Sequence, residues 1–146
     1  MTMNTLSQLQ AREGELPEFT GAAPRRVLIV DDNPDAAEMM AMVLQLDGHE
    51  VRVAHDAEGA LTLADAFQPH VGLFDIGLPQ TDGYELARRV RRHPQLVDMY
   101  LVAITGWGQA EDRERAVAAG FDSHITKPAE PDAVRRLVAG VKRNGR

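Results

Sequence analysis

The sequence predicts an α/β domain, with a five-stranded parallel sheet in the order 2-1-3-4-5 flanked by five helices. Five short apolar or alternating segments alternate with five stretches of helical periodicity, the pattern of parallel strands joined by crossover helices. Three of the strand segments, 27–30, 71–74 and 101–104, are unbroken apolar runs, as expected of strands buried on both faces. The second strand contains Arg52, and the fifth contains Asp122, Ser123 and His124, which marks these two as edges. With strand two returning beside strand one and right-handed crossovers covering both faces, 2-1-3-4-5 satisfies all three observations.

The elements follow one another from Arg26. Val27-Leu28-Ile29-Val30 is the first strand, followed by Asp31-Asp32-Asn33-Pro34. Asn33 suits an N-cap, and Pro34 suits the first helical position because it has no N–H to satisfy. Ala36, Met40, Val43 and Leu44 recur at helical spacing until Gly48, a C′ residue. Residues 51–54 alternate as a strand does. A helix from about Ala57 carries Ala57, Ala60, Leu61 and Ala64 and stops before Pro69. The third strand ends at Asp75. Asp82-Gly83-Tyr84-Glu85 has the form of a capping box and opens a helix that ends near His93-Pro94. The fourth strand is followed by a helix from about Gln109 to Ala119, with Gly120 as its stop. Residues 121–126 form the fifth strand. Val134, Leu137, Val138 and Val141 lie at i, i+3, i+4 and i+7 on the last helix.

Composition limits the chemistry. The chain has 146 residues, 44% hydrophobic and 26% charged, which is one domain of ordinary globular make-up. It has no cysteine, so disulfides, zinc–thiolate sites, iron–sulfur clusters and thiol catalysis are excluded. The five histidines, at 49, 55, 70, 93 and 124, show no metal-ligand spacing, and the first four read as surface or turn residues. A net charge of −6 argues against binding a nucleic-acid backbone. No apolar run approaches the roughly 20 residues of a membrane span, and the N-terminus lacks the features of a secretory signal. A cytoplasmic protein is expected. Residues 1–25 are polar and carry Pro17, Gly21 and Pro24; they read as a flexible extension, with a docking segment as the alternative. The folded domain is expected over 26–143. Arg88, Arg89, Arg91 and Arg92 read as a solvated helix face.

Open parallel sheets bind ligands outside the carboxyl ends of their strands, near the switch point between strands one and three. Here strand one ends in Asp31 and Asp32, strand three in Asp75, strand four in Thr105 and strand five in Lys127. Each alone has a bland explanation, but the fold brings all five to one end of the sheet. Three carboxylates in one pocket repel one another unless a cation intervenes. With oxygen donors only, the expected ion is Mg²⁺, which keeps some waters and accepts a phosphate oxygen. Lys127 adds a point charge and Thr105 a hydroxyl donor, both suited to phosphoryl oxygens. One carboxylate can then act as nucleophile.

The segments VLIVDDNPD, LFDIGLPQTDGYELARRVR, LVAITGWG and AGFDSHITKP resemble, in this order and spacing, the receiver domain of two-component response regulators. The resemblance covers about residues 25–143 and implies a flavodoxin-like fold of the kind found in stand-alone chemotaxis regulators. It implies that Asp75 is the phosphoacceptor and that Asp31 and Asp32 position Mg²⁺. Thr105 matches the switch hydroxyl, Lys127 the phosphate-pairing lysine, and Gly77 the residue that lends a backbone carbonyl to the metal. Lys127-Pro128 matches a peptide bond that is commonly cis in the family. Two positions depart from the pattern. His124 stands where the family often has Tyr or Phe, and Gln80 and Thr81 stand where many receivers have Gly and Met. Trp107, two residues beyond Thr105, is expected as loop packing beside the site.

The implied function is that of a single-domain response regulator. It takes a phosphoryl group from a sensor histidine kinase or phosphotransfer protein and switches a surface toward a downstream protein target. The alternative is a phosphate shuttle or sink serving a hybrid sensor kinase. Its only catalysis would be self-phosphorylation and self-hydrolysis, so it is not expected to be an enzyme. An aspartyl phosphatase of the haloacid dehalogenase kind needs a second Asp two residues after its nucleophile at the end of strand one. Asn33 and Pro34 occupy those positions here. An interaction module that had lost its chemistry would lack one of the five site residues, and all are present.

Overall fold

The structure, a computed structural model, describes residues 23–78, 80–106 and 110–142. Most of the expected N-terminal extension, and Trp107, lie outside the described residues. The element order is β1 (Arg26–Val30), α1 (Pro34–Leu46), β2 (Glu50–Ala54), α2 (Ala57–Phe67), β3 (Val71–Asp75), α3 (Gly83–Arg92), β4 (Tyr100–Thr105), α4 (Ala110–Ala119), β5 (Ser123–Thr126) and α5 (Pro131–Gly140). The strands form one sheet in the order β2-β1-β3-β4-β5, and every pairing is parallel.

Each central strand serves two cores, because successive side chains point to opposite faces. On one face Val27, Ile29, Val71, Leu73, Val102 and Ile104 pack with Ala37, Ala41 and Leu44 of α1 and Val134 and Val138 of α5. On the other, Leu28, Val30, Phe74, Leu101 and Ala103 pack beneath α2, α3 and α4. There Phe121 meets Phe74 and Tyr84 edge to face, at centroid distances of 6.1 and 6.5 Å.

The helix starts follow the sequence signals. Asn33 caps α1 by accepting from the N–H groups of Asp35 and Ala36, with Pro34 at the first helical position. Asp82 caps α3 by accepting from Glu85 N–H at 2.9 Å. The carboxylate of Glu85 pairs with Arg88, Arg89 and Arg92. Gly48 sits at φ 92°, as a residue just past a helix end often does.

Three expectations need correction. The buried face of α1 is Ala37, Ala41 and Leu44, while Ala36 is exposed and Met40 and Val43 are half-buried. The larger side chains lie at the rim of a cavity described below, and the small alanines take the close approach to the sheet. His49 is buried and not a surface residue, because its Nδ1 accepts from the Arg25 N–H at 2.9 Å where β1 begins. His70 does the same for the Arg26 N–H at 2.8 Å. Arg91 leaves the solvated face of α3 and turns inward. Its guanidinium donates to the carbonyls of Val97, Met99 and Gly120 and to the carboxylate of Asp122 at 2.8 Å.

Candidate functional site

The parallel register places the ends of β1, β3, β4 and β5 side by side at one edge of the sheet. Asp31 continues the β1 pairing through its N–H, which donates to Ala54 O at 3.1 Å. Asp75, the last residue of β3, lies opposite Ile104 of β4, and Thr105 lies opposite Thr126 of β5. Lys127 follows β5 directly and donates its backbone N–H to Thr105 O at 2.6 Å. The Lys127–Pro128 peptide is cis, as the resemblance implied.

The side chains converge. One carboxylate oxygen from each of Asp31, Asp32 and Asp75 lies within 4.8 Å of the others. Asp75 is only 5% exposed, and the Lys127 ammonium donates to its Oδ2 at 3.0 Å. The Gly77 N–H donates to Asp75 Oδ1 at 3.0 Å, so both oxygens of the central carboxylate are held. Asp31 accepts from the Asn33 N–H at 2.9 Å. Burial raises the Asp31 carboxyl pKa from its ordinary value of 3.8. The neighbouring Asp75 carboxylate adds to the rise, against the lowering effects of the Asn33 N–H and Lys127. Thr105 is buried beside the cluster, while Asp32 and Gly77 are exposed. All six expected residues are therefore at this end of the sheet.

The acidic cluster forms one wall of a cavity of about 620 Å³ between α1 and the turn that joins β5 to α5. Its polar end holds Asp31, Asp32, Asp75 and Lys127, and its other end is lined by Met39, Met40, Val43, Pro131 and Val134. An all-oxygen donor set with three clustered carboxylates fits a hard divalent cation that keeps waters, Mg²⁺ above all.

Two structural roles escaped the sequence. Gly83 packs so closely on the loop after β3 that a Cβ would lie 2.7 Å from Asp75 O and 2.8 Å from Ile76 Cα, both backbone atoms. The Asp82-Gly83 pair signalled a cap but not this approach. His55 lies on the far side of the switch point, with Nδ1 2.9 Å from Asp31 O. At the departures, Gln80 adopts φ 65°, the left-handed conformation that Gly would take at less cost. His124 stands half-buried on β5, opposite Ala103.

Comparison with known proteins agrees with this geometry. The family model described as the response regulator receiver domain matches residues 27–139. The chain is 36% identical over 138 residues to the transcriptional regulatory protein TrcR of Mycobacterium tuberculosis, covering 92% of this chain and 52% of that protein. It spans about half the length of the curated transcriptional regulators it matches. The chemotaxis response regulator CheY4 of Vibrio cholerae superposes with a TM-score of 0.76 at 27% identity, over 80% of this chain and 97% of that one. A putative response regulator from Chloroflexus aurantiacus gives 0.75 at 35% identity, over 80% and 95%. With its strand order, its acidic pair after β1 and the aspartate–lysine contact across β3 and β5, the chain belongs to the receiver domain family of response regulators.

Proposed function

We propose that the protein accepts a phosphoryl group on Asp75 from a histidine kinase or a phosphotransfer protein, and thereby changes the surface it offers to a protein target. The observation that carries this reading is the buried Asp75 carboxylate, held by Lys127 at 3.0 Å and within 4.8 Å of two further carboxylates. Asp31, Asp32 and Asp75 would hold Mg²⁺, with the Gly77 carbonyl as a further oxygen donor. Bound there, the ion would offset the clustered negative charge and stabilise charge on the phosphoryl oxygens.

The chain's own groups do the rest. An Asp75 carboxylate oxygen forms the new bond to phosphorus as the bond to the donor's leaving atom breaks, and the leaving atom keeps that electron pair. The Lys127 ammonium, already at the carboxylate, neutralises charge on the transferred group. The Gly77 N–H fixes the carboxylate's orientation, which favours an in-line approach. Thr105 supplies a hydroxyl donor at the end of the neighbouring strand. The chemistry modifies the chain itself and turns over no second substrate, so the protein acts as a regulator and not as an enzyme. Its expected partners are proteins, since a net charge of −6 opposes a polyanion. Among the described residues no helix is long and apolar enough to cross a membrane, and a cytoplasmic site of action is part of the proposal.

Incubation with a small phosphodonor and Mg²⁺ tests the reading by intact mass. A gain of one phosphoryl group is expected in the wild type, and no gain in Asp75→Asn or with the metal chelated. An equal gain in Asp75→Asn would overturn it.

A further inference from the structure

His49 and His70 hold the start of β1, where each accepts a backbone N–H; His55 holds its end. The His55 Nδ1 lies 2.9 Å from Asp31 O. A carbonyl only accepts, so the ring donates. The chemistry derived for the site makes no use of this bond.

The backbone of Asp31 is held on both sides by one short stretch of chain. Its N–H donates to Ala54 O at 3.1 Å, and its carbonyl accepts from His55, the next residue along. Peptide groups are planar, so the first bond fixes the plane between Val30 and Asp31, and the second the plane between Asp31 and Asp32. The second plane bears most on the site. Asp32 is exposed, so packing does little to aim its carboxylate toward Asp31 and Asp75. Its Cα lies between two peptide planes instead. The Asn33 N–H fixes the following one from within the loop, by bonding Asp31 Oδ1 at 2.9 Å. His55 fixes the preceding one from outside it.

His55 stands on a firm base. Ala54 before it pairs with Val30 in the sheet, and Asp56 after it caps α2 by accepting from the Gly59 N–H at 2.7 Å. The backbone at His55 cannot drift without breaking the end of a strand pair or a helix cap.

We propose that His55 is a positioning residue for Mg²⁺: by donating to Asp31 O it sets the direction of the acidic pair, and through it the spacing of the three carboxylates. This rests on the reading of Asp31, Asp32 and Asp75 as the cation site of a phosphoacceptor. His55 acts through the Asp31 carbonyl and is not assigned as a ligand. Groups that orient a metal's ligands commonly govern its affinity by about 10–100-fold, and for an exposed ring the lower end is expected.

Calorimetric Mg²⁺ titration of the full chain, at matched ionic strength, compares wild type, His55→Ala and His55→Asn. The Asn Nδ2 stands as many bonds from the backbone as the His Nδ1 and can donate the same bond. Mg²⁺ should bind His55→Ala about tenfold more weakly, and His55→Asn close to wild type. Without metal, amide exchange at Asp31 should be faster in His55→Ala, while the amides of the central strand β3 keep their rates. Equal Mg²⁺ affinity in wild type and His55→Ala would overturn the proposal. So would a loss that His55→Asn fails to restore, since the ring would then act by its bulk and not by its bond. A wild type that binds no Mg²⁺ would bring down the reading of the cluster as a cation site, and the proposal with it.

Discussion

At the scale of single residues, the site combines a nucleophile held on both oxygens with an open approach beside it. A Cβ on Gly77 would meet nothing nearer than Asp75 Oδ1 at 3.8 Å, so a side chain there would stand over the carboxylate without a clash. Hydrolysis of an aspartyl phosphate needs a water held in line with phosphorus, and Gly77 has no side chain to hold one. Gly77→Asn supplies a carboxamide that can, and should speed loss of the phosphoryl group by one to two orders of magnitude, about 1.4–2.8 kcal/mol in barrier. Decay of phosphorylated protein after donor removal measures it; equal half-lives would show that the water is positioned elsewhere. His49 belongs to the same scale. Burial lowers its pKa from 6.5, Arg25 lowers it further, and Asp47 opposes them, so folding favours the neutral ring that accepts from Arg25 N–H. The unfolded chain binds the proton more tightly. The stabilisation is therefore complete above pH 6.5 and lost as pH falls from 6.5 toward the folded-state pKa. Urea midpoints at pH 7.5 and 5.5 should differ more in the wild type than in His49→Asn, whose Oδ1 can accept the same bond at either pH.

At the scale of elements, local signals succeeded where chemistry is local and failed where it is shared between distant segments. Unbroken apolar runs told central strands from edges, and the Asn33-Pro34 and Asp82 caps began their helices where expected. The inward face of α1 was misread because alanine and methionine give two overlapping stripes of the same period, and only packing decides between them. A run of four arginines on α3 looks uniformly solvated, and nothing in it marks Arg91 as the one that ties β4, α4 and β5 together. The pairing of Asp75 with Lys127, 52 positions apart, was legible only through the strand order that brings their ends together. Gly83 shows how an element positions chemistry without touching it. Its Cα lets the first turn of α3 rest on the backbone of Asp75 and Ile76, where a methyl group would intrude at 2.7 and 2.8 Å. Backbone cannot yield as a flexible side chain can. Gly83→Ala should cost about 1–3 kcal/mol and displace the Asp75 loop. Chemical denaturation gives the first, and slower phosphorylation at matched folded fraction gives the second. A variant as stable and as fast as wild type would show that α3 does not brace the loop.

At the scale of the whole molecule, the site is a charge problem that the sheet solves by imposing proximity. Asp31 and Asp32 follow β1, Asp75 ends β3 and Lys127 follows β5, so the cluster exists only when the full sheet has formed. Three carboxylates face one ammonium, and the raised pKa of Asp31, due first to burial and then to Asp75, records the cost of keeping them ionised. A carboxyl whose folded-state pKa is raised stabilises the fold fully below its ordinary value of 3.8, and that contribution is lost as pH rises through the folded-state pKa. At neutral pH the metal-free protein therefore carries repulsion that the unfolded chain does not. Two unit charges at about 4 Å repel by roughly 1 kcal/mol even when fully solvated, so Asp31→Asn should raise the metal-free melting temperature by a few degrees. Mg²⁺ should act in the opposite order. A ligand that binds only the folded state at a hundredfold excess over its dissociation constant adds about 2.7 kcal/mol. Because the site spans β1 to β3, that gain should appear in global unfolding and not in one loop. The wild type should gain stability on Mg²⁺ titration, and Asp31→Asn, already relieved of one charge and one oxygen donor, should gain much less. Thermal melts across a Mg²⁺ series, with matched ionic strength, separate site binding from general screening. If wild type and Asp31→Asn respond to Mg²⁺ alike, Asp31 is not part of a cation site, and if the variant melts no higher without metal, the cluster is not strained.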